Sequence, residues 1–193
     1  MGFASDMKIL YHMLLKPVRG DSHAERMESF YGDQAEGYDD FRKRLLKGRE
    51  ELWQQLPKDE GIWVDLGGGT GANIENFGDS ISKPEKIYVI DLSTSLLKIA
   101  SDRFAKKGWT NVETVEADAT TYCPPQGYAD VVTFSYSLTM IPNWFAAIEN
   151  AYKILKPGGH IGVADFYISH KWPAESLKRH RWFTRTILSL IHI

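Results

Sequence analysis

From Ile62 onward the chain alternates short apolar runs with segments whose apolar residues recur at helical spacing. The runs "IWVDL" (62–66), "KIYVID" (86–91), "NVETVEA" (111–117), "ADVVTFSY" (129–136) and "GHIGVADFY" (159–167) are rich in Val and Ile and predict strands. Helices are predicted from Gly71, from Ser93 to about Lys106, and over about 143–155. Five such strands with helices between them imply an α/β fold, a Rossmann-like, doubly wound, mostly parallel sheet covered on both faces. Ligands of these sheets bind beyond the carboxyl ends of the strands. Upstream, residues 22–31 and 35–56 read as helices. The second returns Phe41, Leu45, Leu52, Trp53 and Leu56 to one face before Pro57 and Gly61 end it. Lys156-Pro157-Gly158-Gly159 predicts a helix stop and tight turn feeding the last strand.

This pattern divides the chain into an N-terminal helical segment (1–56), a ligand-binding core (57–169) and a C-terminal segment (170–193). At 193 residues and 43% hydrophobic, it suits one domain with a real core. A net charge of −2 offers no general surface for nucleic acid, so no such partner is expected. The charge is uneven, however: residues 21–169 carry 15 basic against 23 acidic residues, whereas 170–193 carry five against Glu175 alone. That last segment interleaves Lys171, Lys178, Arg179, Arg181 and Arg185 with Trp172, Trp182 and Phe183. A helix of this kind can rest on anionic headgroups, each basic residue contributing about 1 kcal/mol; the plainer alternative is a solvated helix with one packing face. "MKILYHMLLKP" near the start is too short an apolar run to span a bilayer and reads as an interfacial or packing segment, or as the remnant of a targeting region. The single cysteine, Cys123, excludes an internal disulfide and a multi-cysteine zinc site. The expected setting is cytoplasmic, peripheral at a membrane surface, with no metal site.

The chemistry concentrates at the predicted strand ends. Gly67, Gly69 and Gly71 directly follow the first strand, where bare backbone and a helix amino terminus can approach a ligand. Read as Gly67-x-Gly69-x-x-Ala72 the loop also satisfies the dinucleotide pattern. Asp65 argues against a pyrophosphate and for a cationic or zwitterionic ligand; its bland alternative is a capping or surface Asp. Asp91 closes the second strand, where a carboxylate can accept both hydroxyls of a ribose. Asp118, in "VEADAT" with Glu116, can accept from an adenine amino group while Ala119 faces the ring, or belong to a solvated acidic turn.

Taken together, "VDLGGGTGAN", "VID", "EADAT" and "LKPGGHIGVADFY" resemble the seven-strand S-adenosylmethionine-dependent methyltransferases over residues 62–167. The resemblance implies that Asp65, Gly67 and Gly69 hold the methionine end of the cofactor, with Ser135 and the backbone of 134–136 completing that pocket. It places Asp91, with Leu92, at the ribose and Asp118 with Ala119 at the adenine, and makes Tyr38 part of a helical lid over the cofactor. More narrowly, "HAERMESFYGDQAEGYDDFRKRLLKGREELW", "GWTNVETVEADAT", "ADVVTFSYSLTMIPNWFAAIENA" and "IGVADFYIS" resemble the methyltransferase half of betaine-lipid synthases. That likeness implies N-methylation of a lipid headgroup, the amine of diacylglyceryl-homoserine, to the trimethyl betaine lipid, with a homoserine-transferring enzyme as fused or separate partner.

Methyl transfer to an amine needs alignment and exclusion of water, not a nucleophilic side chain. Aromatic faces stabilise the resulting cation by about 0.5–2 kcal/mol each, so Tyr31, Tyr136 and Tyr167, with Tyr38, are expected around the acceptor; ordinary packing is the alternative for each. Asp165 and His170 are candidates for proton removal. The runner-up acceptor is a quinone or other small molecule, and a non-catalytic cofactor-binding module is a third reading. Only 26 residues follow Tyr167, too few for the helix and two strands that close the seven-strand sheet, so the C-terminal hairpin is expected to be missing and the chain truncated or one end of a longer polypeptide.

Overall fold

The computed structural model describes residues 19–31, 46, 48–59 and 61–165. Helices α1 (His23–Tyr31) and α2 (Arg49–Gln55) precede β1 (Ile62–Leu66), a 3-10 helix (Ala72–Ser82), β2 (Lys86–Asp91), α3 (Thr94–Lys107), β3 (Val112–Glu116), β4 (Ala129–Ser135), α4 (Trp144–Ile154) and β5 (Leu155–Ala164). The five strands form one parallel sheet in the order β3-β2-β1-β4-β5. The chain steps outward from β1 to β3, then crosses back to β4, so the strand order reverses between β1 and β4. A crevice opens at that reversal, beyond the carboxyl ends of the strands.

Both faces of the sheet are covered, which is why its central strands read as continuous apolar runs rather than alternating ones. Ile62, Val64, Leu66, Ile90, Val132 and Phe134 pack against Ala147, Ala151 and Ile154 of α4. On the opposite face Trp63, Ile87, Val89 and Val131 meet Trp53, Ile74, Phe77, Leu97, Ala100 and Phe104. Trp53 and Trp63 stack with centroids 5.2 Å apart, and Phe77 stands edge-on to both. This aromatic cluster seats α2 on the sheet. Beside it Gly162 leaves room for Leu52 and Leu56, since a Cβ there would come within 2.9 Å of the Leu56 side chain.

Two predicted elements differ in form. The helix expected from Gly71 is a pair of 3-10 segments meeting at Gly78, whose φ of 54° and ψ of −131° break any continuous helix. Ile74 and Phe77, three residues apart, eclipse on one side in that tighter geometry and both reach the core. The predicted turn at 156–159 is absorbed into β5, which starts at Leu155 and pairs with β4 through a register shift between Ala129 and Val131. Asp130 at this bulge accepts from the Ile62 N–H at 2.7 Å and forms an ion pair with Lys156. Of the expected helix over 35–56, the described part is α2. Residues 166–193, with Tyr167, His170 and the basic-aromatic segment, lie outside the described residues, as do Tyr38 and the segment 1–18.

Trp53→Ala removes the buried link between α2 and the sheet and should lower unfolding free energy by about 3–5 kcal/mol, measurable by urea denaturation.

Candidate active site

The turn after β1 is set by backbone. The N–H groups of Gly67 and Gly68 both donate to the Ile90 carbonyl, at 2.8 and 2.9 Å, folding the chain across the end of β2. Gly67, Gly69 and Gly71 all take positive φ, a region that costs other residues roughly 1–2 kcal/mol. At Gly67 there is no room either: a Cβ would lie 2.4 Å from the Ser137 Cβ. Ser137 belongs to the loop after β4 and donates its hydroxyl to the Leu66 carbonyl at 2.8 Å. The glycine turn is therefore pressed between the β2 and β4 loops.

Asp91 joins the first two loops. One carboxylate oxygen accepts from the Gly69 N–H and the other from the Ser93 N–H, both at 2.9 Å. Ser93 in turn caps α3, its hydroxyl accepting from the Leu96 N–H. At the end of β3, Asp118 forms a local turn by accepting from the Thr120 N–H at 2.8 Å. Asn150 of α4 holds that loop from behind, donating to the Ala119 and Tyr122 carbonyls.

These loops enclose a cavity of about 350 Å³, a size suited to a small organic ligand. Gly67, Gly69, Asp91, Leu92, Asp118 and Ala119, all expected at a cofactor, line it together with Tyr136. Asp65 and Ser135 do not; each is 1% exposed and lies behind the wall. One Asp65 oxygen accepts from the Thr133 hydroxyl at 2.7 Å, and the other lies 2.9 Å from where a Gly68 Cβ would stand. Asp65 thus supports the glycine turn from beneath. Tyr31 ends α1, and its side chain lies outside the described residues; Asp165 follows β5, accepts from the Thr139 N–H and is not a lining residue.

The wall also contains residues with no motif to announce them. His23 and Met27 come from α1, Leu96 from α3, and Met140 to Asn143 from the stretch before α4. Burial, then the Arg26 charge, lowers the His23 pKa, against an opposing pull from Asp118, so the imidazole is neutral at pH 7. Only the helical spacing of His23 and Met27 could have hinted at their shared face.

Tyr136 marks the other end of the cavity. It is the one non-glycine residue with positive φ (56°) among the described residues, and its N–H donates to the Ala164 carbonyl at 2.7 Å. The Arg49 guanidinium lies 5.8 Å from its ring centroid. Burial raises the phenol's pKa in spite of Arg49, so the ring stays uncharged. Directly after the lining stretch, Trp144 and Phe145 stack on one another at the surface, Phe145 being 69% exposed. Among the described residues no cluster of metal-ligating side chains occurs, and no helix is long and apolar enough to cross a membrane.

Residues 21–188 match the model of the ubiE/COQ5 methyltransferase family. A ubiquinone/menaquinone biosynthesis C-methyltransferase from Pseudomonas fluorescens is 29% identical over 169 residues, covering 84% of this chain and 66% of its own length. The chain thus spans just under two thirds of that relative. Among solved structures, an Aquifex aeolicus S-adenosylmethionine-dependent methyltransferase aligns over 84% of this chain and 86% of its own, with 18% identity and a TM-score of 0.56. A Geobacter sulfurreducens methyltransferase in complex with S-adenosyl-L-homocysteine covers 67% of this chain and 51% of its own, at 22% identity and a TM-score of 0.51. These two likenesses establish the fold.

Gly67→Ala combines a left-handed backbone with a clash and should lose about 2–5 kcal/mol of stability. In a double-mutant cycle with Ser137→Gly, the clash component of about 1–3 kcal/mol should appear as coupling between the two sites.

Proposed function

The chain belongs to the ubiE/COQ5 methyltransferase family, and from that membership and the chemistry of the cavity we propose that it transfers the methyl group of S-adenosylmethionine to a small acceptor with an apolar body. The observation that carries this reading is the arrangement of Asp91, Asp118 and the glycine turn around one cavity at the reversal of strand order. The residues fit the cofactor. Asp91 closes β2 at the cavity wall with its two oxygens oriented by the Gly69 and Ser93 N–H groups, the place where a carboxylate of such a sheet accepts the hydroxyls of a ribose. Asp118 and Ala119 suit an adenine edge and face, with Leu92 and Met27 as apolar walls. Gly67 and Gly69 let backbone approach the methionine end, while the Asp65 charge beneath the turn favours a cationic ligand without touching it.

When bound, the cofactor supplies an electrophilic methyl group on a sulfonium. The protein's work is alignment and the exclusion of water. Tyr136 presents an uncharged ring at the acceptor end, held there by Arg49 and by its bond to β5. Trp144 and Phe145 offer an apolar platform next to the lining stretch 140–143, fit for a lipid-like tail.

The relatives support a quinone-type ring carbon as acceptor. A second reading, N-methylation of diacylglyceryl-homoserine, draws on the stretch "FSYSLTMIPNWFAAIENA" and on the neutral Tyr136 ring, which would favour a quaternary ammonium product by about 0.5–2 kcal/mol. Tyr31, Tyr38 and Tyr167 belong to this reading as further aromatic neighbours of the acceptor.

Incubating the full chain with methyl-labelled S-adenosylmethionine and either a prenylated hydroquinone or diacylglyceryl-homoserine decides between them. Label on a ring carbon supports the first and label on nitrogen the second, while no transfer to either overturns both. Asp91→Ala should weaken S-adenosylmethionine binding more than about tenfold, the loss expected for a charged hydrogen-bonding group; unchanged affinity by calorimetry would exclude the ribose role.

A further inference from the structure

The cavity wall formed by α1 comes from a part of the chain remote from every cofactor motif, so something must hold it in place. Two glutamates in "HAERMESF" divide the work. Glu25 serves its own helix: its carboxylate accepts from the Asp21 and Ser22 N–H groups while the Ser22 hydroxyl accepts from the Glu25 N–H, a reciprocal capping arrangement. Glu28, one turn on, points away from α1 toward the amino terminus of α3, on which α1 packs. One of its oxygens accepts from the Ser93 hydroxyl at 2.8 Å and from the Ser95 N–H at 3.3 Å; the other accepts from the Ser95 hydroxyl.

The chemistry of this contact is that of a helix cap supplied by another helix. The first N–H groups of α3 lack intrahelical partners, and the helix dipole makes that end positive. A carboxylate answers both needs. Burial alone would raise the Glu28 pKa, yet hydrogen bonds from Ser95 and Ser93 outweigh it and leave the group below its ordinary value. The carboxylate form is thus the docked form.

Ser93 is shared. Its hydroxyl donates to Glu28 and accepts from the Leu96 N–H, and its backbone N–H donates to Asp91. A continuous path of hydrogen bonds therefore runs from α1 through Ser93 to the carboxylate on the cavity wall. His23 and Met27, five residues and one residue before Glu28, are the α1 residues that face the cavity.

We infer that Glu28 is a positioning residue: by capping α3 it fixes α1 as the closing wall of the cofactor cavity and couples that wall through Ser93 to Asp91. This rests on the cofactor reading above and adds to it the element that shuts the adenine and ribose end. Nothing in Glu28 touches the reacting atoms. Its effect falls on how tightly the cofactor is held, with little on the rate once the site is full.

The test uses the full chain and S-adenosyl-L-homocysteine as probe. Glu28→Ala should weaken binding about five- to twentyfold in calorimetry, raise KM for S-adenosylmethionine by a similar factor and leave kcat within about twofold. Hydrogen exchange, run without ligand, should show faster exchange for the amides of residues 23–31 with the amides of the central strands unchanged. Glu28→Gln keeps one acceptor and should recover part of the affinity; Ser95→Ala, which removes a single donor, should give a smaller effect of the same kind. If wild type binds the probe and Glu28→Ala binds it equally well, or if α1 exchanges no faster in the variant, the inference is overturned. A wild-type chain that binds no probe overturns the cofactor reading instead, and the exchange measurement still reports whether Glu28 holds α1.

Discussion

The site depends on one buried carboxylate. Asp91 is 8% exposed and stands where β2 ends, and a charge so placed is tolerable only if it is hydrogen-bonded. Its two oxygens are met by N–H groups from different loops, Gly69 after β1 and Ser93 ahead of α3. That double bond pattern sets how close the two loops come and therefore how wide the cavity can be. It also explains the glycines. For the Gly69 N–H to turn toward Asp91 while Gly67 and Gly68 both reach the Ile90 carbonyl, the chain must enter left-handed conformations within five residues.

A second constraint comes from β4. Ser137 binds back to the Leu66 carbonyl and occupies the space a Gly67 side chain would need, so the glycine turn is fixed from both sides. Tyr136, just before it, carries the one strained non-glycine backbone among the described residues. Such strain persists where surrounding contacts over-determine it, and it concentrates at functional sites. Here the contacts are the bond to Ala164 and the Arg49 guanidinium, itself bonded to Asn73. The rigid glycine turn and the strained Tyr136 meet across one cavity.

Much of this was readable beforehand. Strands β1 and β2 begin and end where their Val- and Ile-rich runs do, and α3 starts next to the serine that caps it. Gly67, Gly69, Asp91, Asp118 and Ala119 line the cavity because each stands at or within three residues of a strand's carboxyl end, and parallel strands bring those ends to one edge. Other features were hidden. The segment after Gly71 has the spacing of a helix, but Gly78 divides it and the two short pieces settle for 3-10 geometry. The Pro-Gly-Gly of 157–159 has the composition of a turn, yet β4 accepts it as a bulge because Asp130 anchors both Ile62 and Lys156 there.

By itself the sequence determined the parallel sheet, the gathering of candidate residues at its carboxyl edge and the identity of the backbone-exposing turn, since hydrophobic period and glycine placement are local properties. Only the tertiary structure decided that Asp65 supports the turn from behind instead of lining the cavity, that Asn150 braces the loop after β3, and that Glu28 of α1 caps a helix 65 residues away. Those roles rest on which polar groups lie within hydrogen-bonding distance after the layers close. No local pattern encodes that distance, because it is set jointly by two faces of packing and a reversal of strand order.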